Sequence, residues 1–146
     1  MEMNGTTVIA RTVDEVFDYV VDTAHDANWR TGVIKSGLES DGPAGPGTMG
    51  YTLAGKQKAK WRVTSYEPGQ SVDWVFTSGP LTGRGGYRVM PVEGGTQFTL
   101  VADVKPTGWF KLLGPVFGWI GRRQNQNDVE KLREILESAP EHELQA

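Results

Sequence analysis

WFKLLGPVFGWIGRRQNQNDVEKLREILES, residues 109–138, is the stretch in which an apolar pattern keeps helical spacing for several turns. Counted back from its end, Leu136, Leu132, Val129 and Asn125 follow at steps of four, three and four, which puts them on one helical face. The same steps continued upstream reach Gly121, Gly118 and Gly114. A glycine inside a helix costs about 1 kcal/mol relative to alanine, so three in phase imply a face that needs room, for a closely packed sheet or for a ligand. Leu113, Val116, Phe117 and Ile120 lie on the opposite side, so the two halves of the segment cannot bury their apolar surface against one neighbour. Two starts fit the pattern. The helix is continuous from Trp109, or Trp109–Gly114 is a separate turn and the helix opens at Pro115, since proline is tolerated at a first helical position and poorly later.

Upstream, the chain changes period twice. Thr6–Arg11 reads as a short strand. Thr12, three residues before Glu15, makes a capping box for a helix whose apolar face is Val13, Val16, Phe17, Val20 and Val21, with Asp14, Glu15 and Asp18 near its positive end. Thr23–Trp29 reads as a second, short helix, with Asp22, Asp26 and Asn28 as cap and turn formers. From Gly32 onward the alternation is that of a meander: Val33–Ser40, Thr48–Leu53, Lys58–Tyr66, a strand carrying Val72, Trp74 and Phe76, Tyr87–Val92, and Thr96–Val104. In the third of these, Ala59, Trp61, Val63 and Ser65 oppose Lys58, Lys60, Arg62, Thr64 and Tyr66. Gly83-Arg84-Gly85-Gly86 opens no helix and reads as a turn between strands rather than a phosphate loop. The order strand, two helices, about six strands and a long helix is that of an α+β domain. All 146 residues are expected in one domain, with its core over about 6–138 and a polar, frayed tail over 139–146.

Composition narrows the function. A net charge of −3 with a pI near 5.4 supplies no basic field, so nucleic acid is not an expected partner. The absence of cysteine excludes disulfides, thiolate metal sites and cysteine nucleophiles. The histidines, His25 and His142, stand too far apart in sequence to nominate a metal site, and neither a metal nor a cofactor is expected. No secretory signal is visible at the N-terminus, which makes the cytoplasm the expected address. The apolar run Trp109–Ile120 is broken by Lys111, Gly114, Pro115 and Gly118 and falls short of the roughly 20 residues that span a bilayer.

Several stretches carry a family likeness: Val8-Ile9-Ala10, Val13-Asp14-Glu15-Val16-Phe17-Asp18-Tyr19-Val20, Asn28-Trp29, Gly45-Pro46-Gly47-Thr48, Trp61–Gly69, Gly95-Thr96-Gln97-Phe98-Thr99 and Leu132–Glu137. In this order the chain resembles the Bet v 1-like or START-like (SRPBCC) superfamily, and within it the bacterial polyketide cyclase/dehydrase and lipid-transport group. Thr12 departs from the proline that often enters the first helix there, and its capping box does the same structural job. The resemblance implies a helix-grip fold, in which a curved antiparallel sheet of six to seven strands wraps the C-terminal helix and leaves a cavity between them. It also implies an apolar or amphipathic small molecule as the cavity's occupant.

On that fold, alternation places Trp61, Val63, Trp74, Phe76, Tyr87, Val89, Phe98 and Leu100 on concave-facing positions, as pocket lining or as ordinary core. Gly118 and Gly121 would widen the hollow. Asn125, an amide on an otherwise apolar stripe, would orient a ligand carbonyl or hydroxyl, or be satisfied by water or a neighbouring strand. No catalytic set is assigned. His25 reads as a solvated residue, Asp73 and Asp103 fall on the face opposite Trp74 and Leu100, and Tyr51, Tyr87 and Arg88 qualify by position alone. The leading expectation is binding or carriage of a small apolar molecule. The alternatives are a cyclase/dehydrase-type enzyme and an interaction module using residues 109–120, where a lid or homodimer contact is expected ahead of a membrane surface.

Overall fold

The reciprocal cap expected at Thr12 is formed: its hydroxyl accepts from the Glu15 N–H at 3.2 Å, and the Glu15 carboxylate accepts from the Thr12 N–H at 3.3 Å. Two donors left orphaned at the helix start are thereby satisfied. The computed structural model describes residues 2–108 and 114–139. Its elements in order are β1 (Gly5–Ile9), α1 (Val13–Val21), a 3-10 turn (Thr23–His25), α2 (Asp26–Trp29), β2 (Val33–Leu38), β3 (Met49–Ala54), β4 (Gln57–Glu67), β5 (Ser71–Ser78), β6 (Leu81–Val92), β7 (Gly95–Pro106) and α3 (Gly114–Ser138). The described part of α3 opens at Gly114, and the choice between a helix continuous from Trp109 and one opening at Pro115 falls on residues outside those described. Residues 109–113, which carry the upstream part of the apolar segment, lie outside the described residues, as does the tail 140–146.

The seven strands form one antiparallel sheet in the order β1-β7-β6-β5-β4-β3-β2. From β2 to β7 each strand pairs with the one before it, and β7 pairs on its other side with β1, which leaves β1 and β2 at the two edges. Two strand readings are corrected. β6 begins at Leu81, so Gly83-Arg84-Gly85-Gly86 is strand rather than turn, paired with Val104, Asp103, Ala102 and Val101. A side chain at Gly85 would strike the indole of Trp74, its cross-strand partner, so the glycine marks a close approach within the strand. In β4 a bulge between Val63 and Ser65 shifts the pleat, which brings Tyr66 opposite Val72 and onto the concave face instead of the outer one.

α3 is fastened along β1. Asn125 Nδ2 donates to the Met3 carbonyl at 2.6 Å, Gln126 bridges the Thr6 N–H and C=O at 3.0 and 2.9 Å, and Glu137 accepts from the Ala10 N–H at 2.9 Å. Arg11 donates to the carbonyls of Leu136 and Ala139, placing a cation at the negative end of the helix. The face read from the sequence is the buried one. Val129, Leu132 and Leu136 are fully enclosed with Ile9, Phe98 and Leu100. Among the described residues no helix is long and apolar enough to cross a membrane.

Candidate ligand cavity

The register puts the eight strand residues nominated from sequence on one face: Trp61 is opposite Phe76, Val63 opposite Trp74, Tyr87 opposite Leu100 and Val89 opposite Phe98. They do not all have one neighbour. Trp61, Val63, Trp74, Phe76 and Tyr87 line a cavity of about 350 Å³, together with Tyr66, Val72 and residues of α1, the 3-10 turn and α2. Leu100, Gly121 and Asn125 instead border a recess of about 220 Å³ beneath Phe117 and Ile120 of α3. Val89 and Phe98 are buried core, with the Phe98 ring against Trp29 and Tyr87. Gly118 is buried and borders neither space as described.

The expected site, between sheet and C-terminal helix, therefore holds the smaller of the two spaces. The larger lies under α1 and α2, because the bonds to β1 draw α3 toward the other edge of the sheet. Gly121 borders the smaller recess together with Met3, whose side chain occupies the place where one at Gly121 would stand. Asn125 spends an N–H on the Met3 carbonyl, the neighbouring-strand alternative.

Two tryptophans form the wall of the larger cavity, and each has a glycine for a seat. A Cβ at Gly50 would overlap the Trp61 ring, and one at Gly85 the Trp74 ring. Each indole therefore lies against the adjacent strand and keeps its other face toward the hollow. Trp61 Nε1 donates to Thr52 Oγ1 at 3.1 Å, and that hydroxyl is 3.0 Å from Ser36 Oγ, so the polar edge of the ring is satisfied within the wall. The Tyr87 ring meets Trp74 edge-on at 4.9 Å between centroids, and burial pushes its phenol pKa up. It stays a neutral donor or acceptor at physiological pH.

Sequence reading missed a polar cluster in this apolar setting. Asp26 and Arg30, one turn apart at α2, both line the larger cavity, and Arg30 also borders the smaller recess. Burial, with a contribution from Asp22, raises the Asp26 carboxyl from 3.8 to about 6, while Ser36, Arg30 and His25 act in the opposite direction. Arg30 lies over the Trp29 ring at 5.2 Å, and its Nε is 3.5 Å from Asp128 Oδ2. Asp128, only 2% exposed, accepts from the Thr31 N–H at 3.1 and 3.2 Å and from the Thr31 hydroxyl. The only sequence signal was the i, i+4 spacing of Asp26 and Arg30 beside Trp29, in a stretch whose polar residues also suit turns.

His25, by contrast, stacks on Tyr19 at 4.0 Å and does not line the cavity. Asp73 is engaged by Arg88 at 2.7 Å. Among the described residues no three His, Asp or Glu side chains converge as a metal centre would require.

A curled seven-stranded antiparallel sheet gripping a long C-terminal helix, with short helices after its first strand, defines a helix-grip protein of the START and Bet v 1 class. The chain belongs to the polyketide cyclase/dehydrase and lipid transport family, which matches residues 1–137. Among solved structures it is similar to a START superfamily protein from Mycobacterium smegmatis, with a TM-score of 0.77, 11% identity and coverage of 93% of this chain and 97% of that one. A protein from Thermus thermophilus gives a TM-score of 0.75 at 15% identity over 93% of this chain and 97% of that one. The Zhui aromatase/cyclase from Streptomyces sp. R1128 gives 0.67 at 16% identity over 92% and 95%. At these identities the likeness is one of fold. No curated protein matches in sequence.

Proposed function

We propose that the protein binds a small, mainly apolar molecule in the cavity under α1 and α2. The observation that carries this reading is a space of about 350 Å³ walled by Trp61, Trp74, Phe76 and Tyr87, with glycines holding the two indoles against the sheet. Its size falls at the lower end of small-molecule sites, and an apolar lining with a few polar groups is their usual composition. Membership of a family described by polyketide cyclase/dehydrase and lipid transport supports it. Native mass spectrometry of protein purified from its own host tests it: a co-purifying small molecule is expected, and its release by Ala59→Phe, which fills the cavity from β4, places it there. Retention of the molecule in that variant would overturn the location.

A second reading is favoured by Asp26. A carboxylate in an apolar cavity with a pKa near 6 is suited to accept a proton beside a carbonyl, the step that opens cyclase and dehydrase chemistry. Incubation with a linear polyketone, followed by mass spectrometry for loss of water, tests it; Asp26→Asn should abolish turnover while retaining binding. A homodimer contact through residues 109–120 is part of the proposal on the strength of exposed Val116, Trp119 and Ile120. Light scattering of wild type and Trp119→Asp checks it, with a lower mass expected for the variant.

A further inference from the structure

Arg30 stands at a waist. It borders both spaces, as do Trp74, Phe76 and Leu81, so the larger cavity and the smaller recess adjoin across these four residues. A guanidinium carries five N–H donors and no acceptor. Its side chain is 25% exposed, its Nε is buried, and that Nε has no hydrogen-bond partner among the described residues, since Asp128 at 3.5 Å offers charge without bonding geometry. The enclosed Nε is out of reach of either space, so an oxygen placed in the waist would pair with the partly exposed remainder of the guanidinium, supplying an acceptor to N–H groups partly withdrawn from water.

Local charge selects the kind of oxygen. Around one guanidinium stand the carboxylates of Asp26 and Asp128, with Asp22 also lining the larger cavity, and there is no lysine among the described lining residues. An anionic ligand would add a further negative charge to this set at low dielectric, whereas a carbonyl would supply the acceptor without one.

Resting on the reading of the cavity as a binding site, the geometry points to Arg30 as the anchor for a neutral carbonyl oxygen, of a ketone or ester, held at the waist. The ligand's apolar parts extend into one or both recesses, and free carboxylates are disfavoured. The selection against anions is pH-dependent. Burial raises Asp26 to about 6, so the waist loses a negative charge below that pH; the groups bearing on Asp26 are Asp22 and His25 before it, Arg30 after it, Ser36 on β2 and Tyr87 on β6.

Three probes of one shape test this: 2-acetylnaphthalene, 2-ethylnaphthalene and 2-naphthoate, titrated by fluorescence at pH 8 and pH 5.5. At pH 8 the wild type is expected to bind the acetyl probe at least about tenfold tighter than the naphthoate, and the naphthoate is expected to gain on moving to pH 5.5, a gain Asp26→Asn removes. Arg30→Met should lower the acetyl-to-ethyl affinity ratio at least about tenfold. The double variant Arg30→Met, Asp128→Asn keeps this comparison available should the single one leave Asp128 as an unpaired buried charge. An unchanged ratio, or naphthoate binding tighter than the ketone at pH 8, overturns the anchor while leaving the binding reading intact. Failure of all three probes to bind wild type overturns both.

Discussion

The two ends of the sheet are built to different standards. At the β1–β7 end, Ile9, Phe98 and Leu100 meet Val129, Leu132 and Leu136 of α3, and all six are essentially inaccessible. At the β3–β5 end the equivalent face carries Trp61, Trp74 and Phe76 only half buried, over a hollow roofed by α1 and α2. The difference follows from length and attachment. A 25-residue helix bonded along β1 covers one end continuously, whereas a four-residue helix and a short turn cannot fill the other. Stability is therefore concentrated where side chains interlock, and space for a ligand where they do not.

The comparison can be broken most directly by truncation at each end. Leu132→Ala at the dense end should cost about 3–4 kcal/mol, since a closely packed site collapses poorly around the void; urea unfolding measures it. The next effect concerns the polar group in the hollow. Because the folded-state pKa of Asp26, about 6, lies above its ordinary 3.8, its proton stabilises the fold below about pH 4 and that contribution is lost as pH rises through 6. Asp26→Asn should lack this loss and so gain on wild type across the interval, by at most about 3 kcal/mol for a two-unit rise. Urea unfolding of the pair at pH 4, 5, 6 and 7 reads it, and parallel curves would show that the cavity end is not built around a strained acid.

Phe76→Ala should cost less, about 1–2 kcal/mol, because Phe76 is only partly buried and borders open space. A loss matching that of Leu132→Ala would erase the contrast between the two ends. Ile34→Thr, on the outer face of the β2 edge, where Ile34 is 63% exposed, should change stability by less than about 0.5 kcal/mol.

Much of the dense end was legible in advance. The Leu136, Leu132, Val129 and Asn125 steps identify the buried face of α3, and Thr12 with Glu15 marks the start of α1, since both patterns follow from helix geometry over a few residues. The hollow end was legible only in outline. Alternation named Trp61, Val63, Trp74, Phe76 and Tyr87, but the bulge in β4 that turns Tyr66 inward leaves no mark in local pattern. The Gly83-Arg84-Gly85-Gly86 stretch read as a turn because what its glycines make room for, the Trp74 ring at Gly85 and backbone or side-chain atoms at Gly83 and Gly86, lies on the adjacent strands. Asp26 and Arg30 read as turn chemistry because their burial depends on β2, β6 and α3 arriving around them.

By itself, the sequence determined most of the strand and helix segments, the inward faces of α1 and α3 and of the strands up to the β4 bulge, and the family to which the chain belongs. These depend on side-chain periodicity and capping, which act over a few residues. Only the tertiary structure decided that the larger cavity sits under α1 and α2 rather than against α3, that Met3 takes the space beside Gly121, and that Arg30 meets Asp128 at the junction of two recesses. Those outcomes depend on where α3 is tethered along β1 and on contacts between residues about a hundred positions apart, which no local pattern encodes.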